Sequence, residues 1–310
     1  MSGAGGELAA IEAIRRGLPE PPEGEIWIGD DAAVVAGPSD GSLLLASDAI
    51  VEGVHFDLAL VDAADVGWKA LSVNVSDIAA MGGRPLHALV TLVGARASMI
   101  DGLVRGLAEA SAAYECAVVG GDLSAGPCLV VSIAITGTAQ AGRAILRGNA
   151  QAGDLLFVTG PLGRSAAGLR ALRAEAAGSE AAPAELAVAY RRPQARVAEG
   201  TAAAAGGATA MIDVSDGLGI DLDRLATASG VGIVLDSVPV AKGATSEDAL
   251  GGGEDYELVF AAREADAVRE AFAAAGLSPP VLIGACVFDP ATRRVEDGPL
   301  EASGWEHRLG

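Results

Sequence analysis

Lysine is almost missing from this 310-residue chain: Lys69 and Lys242 are the only two. Lysine and arginine together number 21 against 41 aspartates and glutamates, so the formal net charge is −20. No basic stripe offsets that charge, and nucleic-acid binding is not expected. Cys116, Cys128 and Cys286 are odd in number, scattered and without CxxC spacing. Neither a zinc site nor a disulfide framework is indicated, and a reducing, cytoplasmic setting is expected. No run of 18 apolar residues occurs, so no membrane span is expected. The first 16 residues lack the basic and apolar regions of a signal peptide and read as a short amphipathic helix over 7–14. Aromatic residues make up only 4% of the chain, while 51% is hydrophobic, mostly dispersed alanine and valine.

The length fits one large domain or two of about 150 residues. Short apolar runs alternate with longer helical stretches, the pattern of a mixed α/β protein. Strands are expected at 26–28, 33–36, 42–47, 86–93, 117–119 and 129–136, with helices at 64–81 and 100–114. Glycine and charge come together over 142–153, so the chain divides into an N-terminal unit, 1–141, and a C-terminal unit, 142–310. In the second unit strands are expected at 154–159, 208–212, 232–235, 258–261 and 281–287. Helices are expected at 163–176, 184–190, 194–204, 215–229 and 265–275.

Most acids are solvated surface, but several stand where an apolar run ends: Asp30 and Asp31 after Gly29, Asp48 after Ser47, Asp122 after Gly120-Gly121, and Asp213 with Asp216 around Ser215. Asp77 lies inside an apolar helical stretch, with Asn74 three positions earlier on the same face. Each acid alone could equally be a cap or a turn residue. Five such loci together point to hard-cation ligands, and carboxylate oxygens suit Mg²⁺ alongside substrate phosphates. P-loop, dinucleotide-binding and protein-kinase signatures are all missing, as is a G-x-S-x-G elbow. The glycine-rich turns at Gly120-Gly121 and Gly251–Gly253 remain able to offer N–H groups to phosphate. His55, beside the Asp48 locus, reads as a substrate contact or as an ordinary surface histidine.

These blocks resemble the thiamine-monophosphate kinase family. The resemblance rests on Gly29-Asp-Asp-Ala-Ala-Val34, Ser47-Asp-Ala-Ile-Val-Glu-Gly-Val-His-Phe56 and Trp68 to Gly82. It continues through Gly120-Gly-Asp122, Ile212 to Leu218, Gly252-Gly-Glu-Asp-Tyr-Glu-Leu258 and Gly304-Trp-Glu-His307. Seven blocks in order span nearly the whole chain.

The resemblance implies ATP-dependent phosphorylation of thiamine monophosphate to thiamine diphosphate, with several Mg²⁺ ions. It implies the two-domain fold of aminoimidazole ribonucleotide synthetase, with the N-terminal sheets of a homodimer joined in a barrel-like interface. By this likeness the metal ligands are Asp30, Ser47, Asp48, Asp77, Asp122, Asp213 and Asp216. Nucleotide contacts fall on Gly121, Asp122, Arg147 and Ser215, and substrate contacts on His55, Glu254 and Trp305. Asp48, Asp77, Asp122 and Asp213 would carry catalysis. Two positions depart from the family: Ala46 replaces a common hydroxyl residue, and Val104 replaces a frequent aromatic. Within the superfamily, selenophosphate synthetase is disfavoured because no cysteine precedes Cys116 and no lysine precedes Lys69. A non-catalytic metabolite sensor on the same fold is the alternative of a different class.

Overall fold

The structure is a computed structural model that describes residues 21–27, 30–36, 42–139, 144–296 and 298–306. The expected helix over 7–14 and the motif residues Gly29, Gly142 and His307 lie outside the described residues.

Two sheets organise the chain. The first contains β1 (Ala33–Ala36), β2 (Ser42–Val51), β3 (Gly83–Val93), β4 (Ala117–Ser124) and β5 (Val130–Ala139) in the order β1-β2-β5-β3-β4. Its neighbours are antiparallel except β3 and β4, which run parallel. Among the described residues the sheet stays open, with β1 and β4 at its edges. The alternation of β5 sends Val131, Ile133 and Ile135 to one face, which α1 (Ala63–Ala80) covers.

Helix α1 starts at a reciprocal cap: Asp62 accepts from the Asp65 N–H at 2.8 Å, and Asp65 accepts from the Asp62 N–H. Its partner α2 (Ile100–Tyr114) lies very close. A Cβ at Gly106 would sit 1.8 Å from the Ala64 carbonyl oxygen, so only glycine permits that approach. Most of α1 is buried, including the polar residues Lys69, Ser72, Asn74 and Ser76.

The second sheet contains β6 (Leu155–Val158), β7 (Ala208–Asp213), β8 (Gly232–Leu235), β9 (Leu258–Ala262), β10 (Val281–Val287), β11 (Arg293–Val295) and β12 (Gly298–Pro299). Their order is β12-β11-β8-β10-β6-β9-β7, mixed in direction. Helices α3 (Arg164–Ala176), α4 (Ala184–Arg191), α5 (Val197–Ala205), α6 (Leu218–Ser229), α7 (Ser246–Gly251) and α8 (Ala265–Ala274) complete this half. The stacked rings of Phe157, Phe260 and Phe272 share one core with Ala79 and Ala80 of α1. Thus α1 packs on both sheets and carries its face of polar residues to their junction.

Of the expected strand ends that move, two bear on the site. The 42–47 strand continues to Val51, which makes Asp48 an in-strand residue, and the 117–119 strand continues through Gly120-Gly121-Asp122. In both cases ladder pairing overrides the local glycine and acid signal: β2 pairs with β5 along its length, and β4 pairs with β3. Helix α7 and strands β11 and β12 were not anticipated from periodicity, being six, three and two residues long.

Candidate active site

The junction of the two halves holds a cavity of about 890 Å³. Asp31 precedes β1, Asp48 lies on β2, Asp77 on α1 and Asp213 at the end of β7. Ser215 and Asp216 line it from the turn before α6, and Glu254 and Tyr256 from the turn before β9.

One carboxylate oxygen from each of Asp31, Asp77 and Asp213 lies within 4.8 Å of the others. Burial, then the charges of Asp48, Asp213 and Asp31, push the Asp77 carboxyl well above its ordinary range. Asp213 is driven the same way by burial and by Asp31, against the donated hydrogen bond of Ser76 Oγ at 2.5 Å. Asp31 is pushed up to about 6 by burial, with Arg147 opposing. The Arg147 guanidinium sits 2.5 Å from Asp31 Oδ1, while Asp31 Oδ2 is buried with no hydrogen-bond partner. Crowded acids with a buried, unpartnered oxygen have the chemistry of a hard-cation site, and Mg²⁺ fits this donor set.

The polar residues of α1 build this geometry. Asn74 Oδ1 accepts from the Asp48 backbone N–H at 2.8 Å, and its Nδ2 donates to the Ala70 carbonyl. Ser76 holds Asp213. Lys69 and Asp77 are eight residues apart, with Val73 between them, on one helical face.

Asp30, one of the expected ligands, lines the cavity, and its carboxylate accepts from the Asp31 and Arg147 backbone N–H groups at 3.0 and 3.1 Å. Its neighbour Asp31, which was not among the expected ligands, is the one that stands beside Asp77 and Asp213. The signal was present, because the two acids are adjacent, but only the tertiary structure shows which of them reaches Asp77 and Asp213, since Arg147 contacts both. Asp216 lines the cavity and is paired with Arg224 at 2.5 Å, a cation the motif did not indicate. Ser47 is exposed and is not among the residues that line the cavity.

Gly121 and Asp122 stay apart from the cluster in this chain. The ladder runs from Ala49 through Ser132 and Thr91 to Asp122, three strand spacings or roughly 14 Å. Asp122 is exposed and accepts from Ser124 Oγ at 3.0 Å.

At the other end, the Val51 N–H donates to His55 Nδ1 at 3.0 Å, which places the ring hydrogen on Nε2. Glu254 lines the cavity with its backbone at φ 67°, uncommon for a residue with a side chain. Trp305 is brought to the cavity by the C-terminal segment, where its backbone N–H donates to the Asp216 carbonyl. A Cβ at Gly304 would meet Ile220 at 2.3 Å, so glycine lets that segment lie tightly on α6.

Residues 29–139 match the AIR synthase related protein N-terminal domain, and 151–293 match the corresponding C-terminal domain. A thiamine-monophosphate kinase of Mycobacterium tuberculosis is 40% identical over 271 residues, covering 82% of this chain and 80% of that protein. The one of Aquifex aeolicus is 38% identical over 272 residues, covering 82% and 85%. The solved structure of AaThiL complexed with AMPPCP and TMP superposes with a TM-score of 0.85 at 34% identity, over 98% of this chain and 97% of that one. With this cavity between two such domains, the chain belongs to the thiamine-monophosphate kinase family.

Proposed function

We propose that this protein transfers the γ-phosphoryl group of ATP to thiamine monophosphate, giving thiamine diphosphate and ADP. The observation that carries the reading is the Asp31, Asp77 and Asp213 cluster beside Arg147, in a cavity that Glu254 and Trp305 also line. A phosphate oxygen of thiamine monophosphate attacks the γ-phosphorus in line. The bond to the β,γ-bridging oxygen breaks, and ADP leaves with that electron pair. The attacking phosphate is already anionic near neutral pH, so no strong general base is needed.

Catalysis on this reading is positioning and electrostatics. Mg²⁺ held by Asp31, Asp77 and Asp213, with Asp48 alongside, would offset the negative charge of the two substrates. Arg147 offers a cation to the nucleotide phosphates beside these acids, and Ser215 lines the cavity as well. Trp305 offers a flat face to the thiamine rings, with a cation–π attraction to the thiazolium. Glu254 and His55 supply polar groups at that end. ATP as the donor suits a cytoplasmic enzyme, and no helix among the described residues is long and apolar enough to cross a membrane.

We also assign the chain to a homodimer built on its first sheet. Strand β4 is an edge strand whose eight residues are all exposed, with Val119 at 59% and Leu123 at 66%. A long edge without lysine or proline invites pairing with another chain. Gly121 and Asp122 lie on that edge, so their proposed roles toward nucleotide and metal belong to the interface. Leu123→Lys should shift a sedimenting dimer to monomer; an unchanged dimer removes β4 from the interface.

The test of function is incubation with ATP and thiamine monophosphate, with and without Mg²⁺, read by mass spectrometry. Metal-dependent thiamine diphosphate is expected. Intact ATP in the presence of folded protein and Mg²⁺ would move the weight to a sensor.

A further inference from the structure

We propose that Lys69 is a positioning residue for the thiamine end of the cavity, acting through Glu254 and His55 rather than touching substrate. This inference rests on the reading of the cavity given above.

Lys69 is 1% exposed on the buried face of α1. Its Nζ lies 2.7 Å from Glu254 Oε1, 3.1 Å from the His55 carbonyl oxygen and 4.4 Å from the Tyr190 ring centroid. An ammonium has three N–H groups, and here three partners take them. Nothing remains for a ligand. The partners come from three segments distant in sequence: the turn after β2, helix α4 and the turn before β9. His55, Tyr190 and Glu254 all line the cavity, whereas Lys69 stands behind them.

The turn before β9 needs such an anchor. Glu254 and Tyr256 both take positive φ, 67° and 52°, where residues with a Cβ are rarely found. Two backbone bonds hold them, from the Glu254 N–H to the Ser215 carbonyl at 2.6 Å and from the Tyr256 N–H to the Val214 carbonyl at 2.9 Å. Those bonds fix the chain path but leave the Glu254 side chain, 24% exposed, free to rotate. The ion pair with Lys69 settles its direction. The same Nζ restrains the carbonyl of His55, whose ring is oriented by the Val51 N–H. Truncating Lys69 would leave the Asp31, Asp77 and Asp213 end intact and unfasten the other.

The experiment is calorimetric titration of wild type and Lys69→Met with thiamine monophosphate and, separately, with a non-hydrolysable ATP analogue plus Mg²⁺. Thiamine monophosphate should bind Lys69→Met at least tenfold more weakly, while the ATP analogue stays within twofold. Glu254→Gln added to Lys69→Met should cost much less than Glu254→Gln alone, since the two act as one unit. Equal weakening of both ligands would reduce Lys69 to a structural residue and overturn the inference. So would a folded Lys69→Met that binds thiamine monophosphate as wild type does. If Lys69→Met does not fold, Lys69→Gln is read the same way, because it keeps a donor toward His55 while losing the charge. Wild type that binds neither ligand overturns the functional reading, and this inference with it.

Discussion

Asp31, Asp77 and Asp213 are drawn together with Arg147 paired to one of them, whereas Lys69, itself buried, meets a carboxylate, a carbonyl and an aromatic face. The cavity therefore holds charge in two ways. At one end like charges accumulate, and their carboxyls rise above their ordinary range through burial and mutual repulsion. At the other, the chain supplies its own counter-charge from α1. Buried charge that is paired internally can serve as a rigid support, while buried charge left unpaired is a demand for an external cation. One helix contributes to both, with Asp77 toward the acids and Lys69 toward Glu254.

The sharpest way to break this contrast is to remove an acid. Asp77→Ala is expected to lower turnover by roughly a hundredfold or more, about 2.7 kcal/mol in the barrier. The metal-free protein should nevertheless melt higher, because a repelled carboxyl has gone, and Mg²⁺ should raise its melting temperature less than that of wild type. Steady-state kinetics at saturating Mg²⁺ and thermal melts read the two effects. Near-wild-type turnover would end the assignment.

A smaller effect separates the two substrates. Trp305→Ala should raise KM for thiamine monophosphate about tenfold and leave KM for ATP within twofold. Equal changes in both would show that Trp305 packs the C-terminal segment rather than meeting the thiamine rings.

The smallest effect concerns an acid outside both ends. Asp255 accepts from the Ser165 N–H at 3.0 Å and from the Gly163 N–H at the start of α3, and burial pushes its carboxyl from 3.8 up to about 6. Between those values the folded chain keeps a proton that the unfolded chain has released. Stability from this group therefore falls as pH rises through that window. Between pH 5 and 7.5 wild type should lose about 1 kcal/mol relative to Asp255→Asn in urea unfolding. Parallel pH profiles would show that Asp255 ionises as an ordinary exposed carboxylate does.

Periodicity and acid placement in the chain determined much of this protein. The 3.6-residue spacing places helices at Ala63–Ala80 and Ile100–Tyr114, and short β-branched runs place Gly232–Leu235 and Val281–Val287 as strands, because these signals are local. The acids of the motif blocks were readable as a set for the same reason. What the tertiary structure decided is which of them meet. Asp30 and Asp31 are chemically identical neighbours that both line the cavity beside Arg147, more than a hundred residues away in the chain, and only the fold sets Asp31 within reach of Asp77 and Asp213 while Asp30 accepts backbone N–H groups. Asp48 and Asp122 both follow local turn signals, but pairing with β5 and β3 keeps them inside strands, one on the cavity and one on an exposed edge. Lys69 carries no local mark of function beyond its rarity. Its partners lie 14, 121 and 185 residues further along or back, and only the packing of α1 between two sheets brings them to one ammonium.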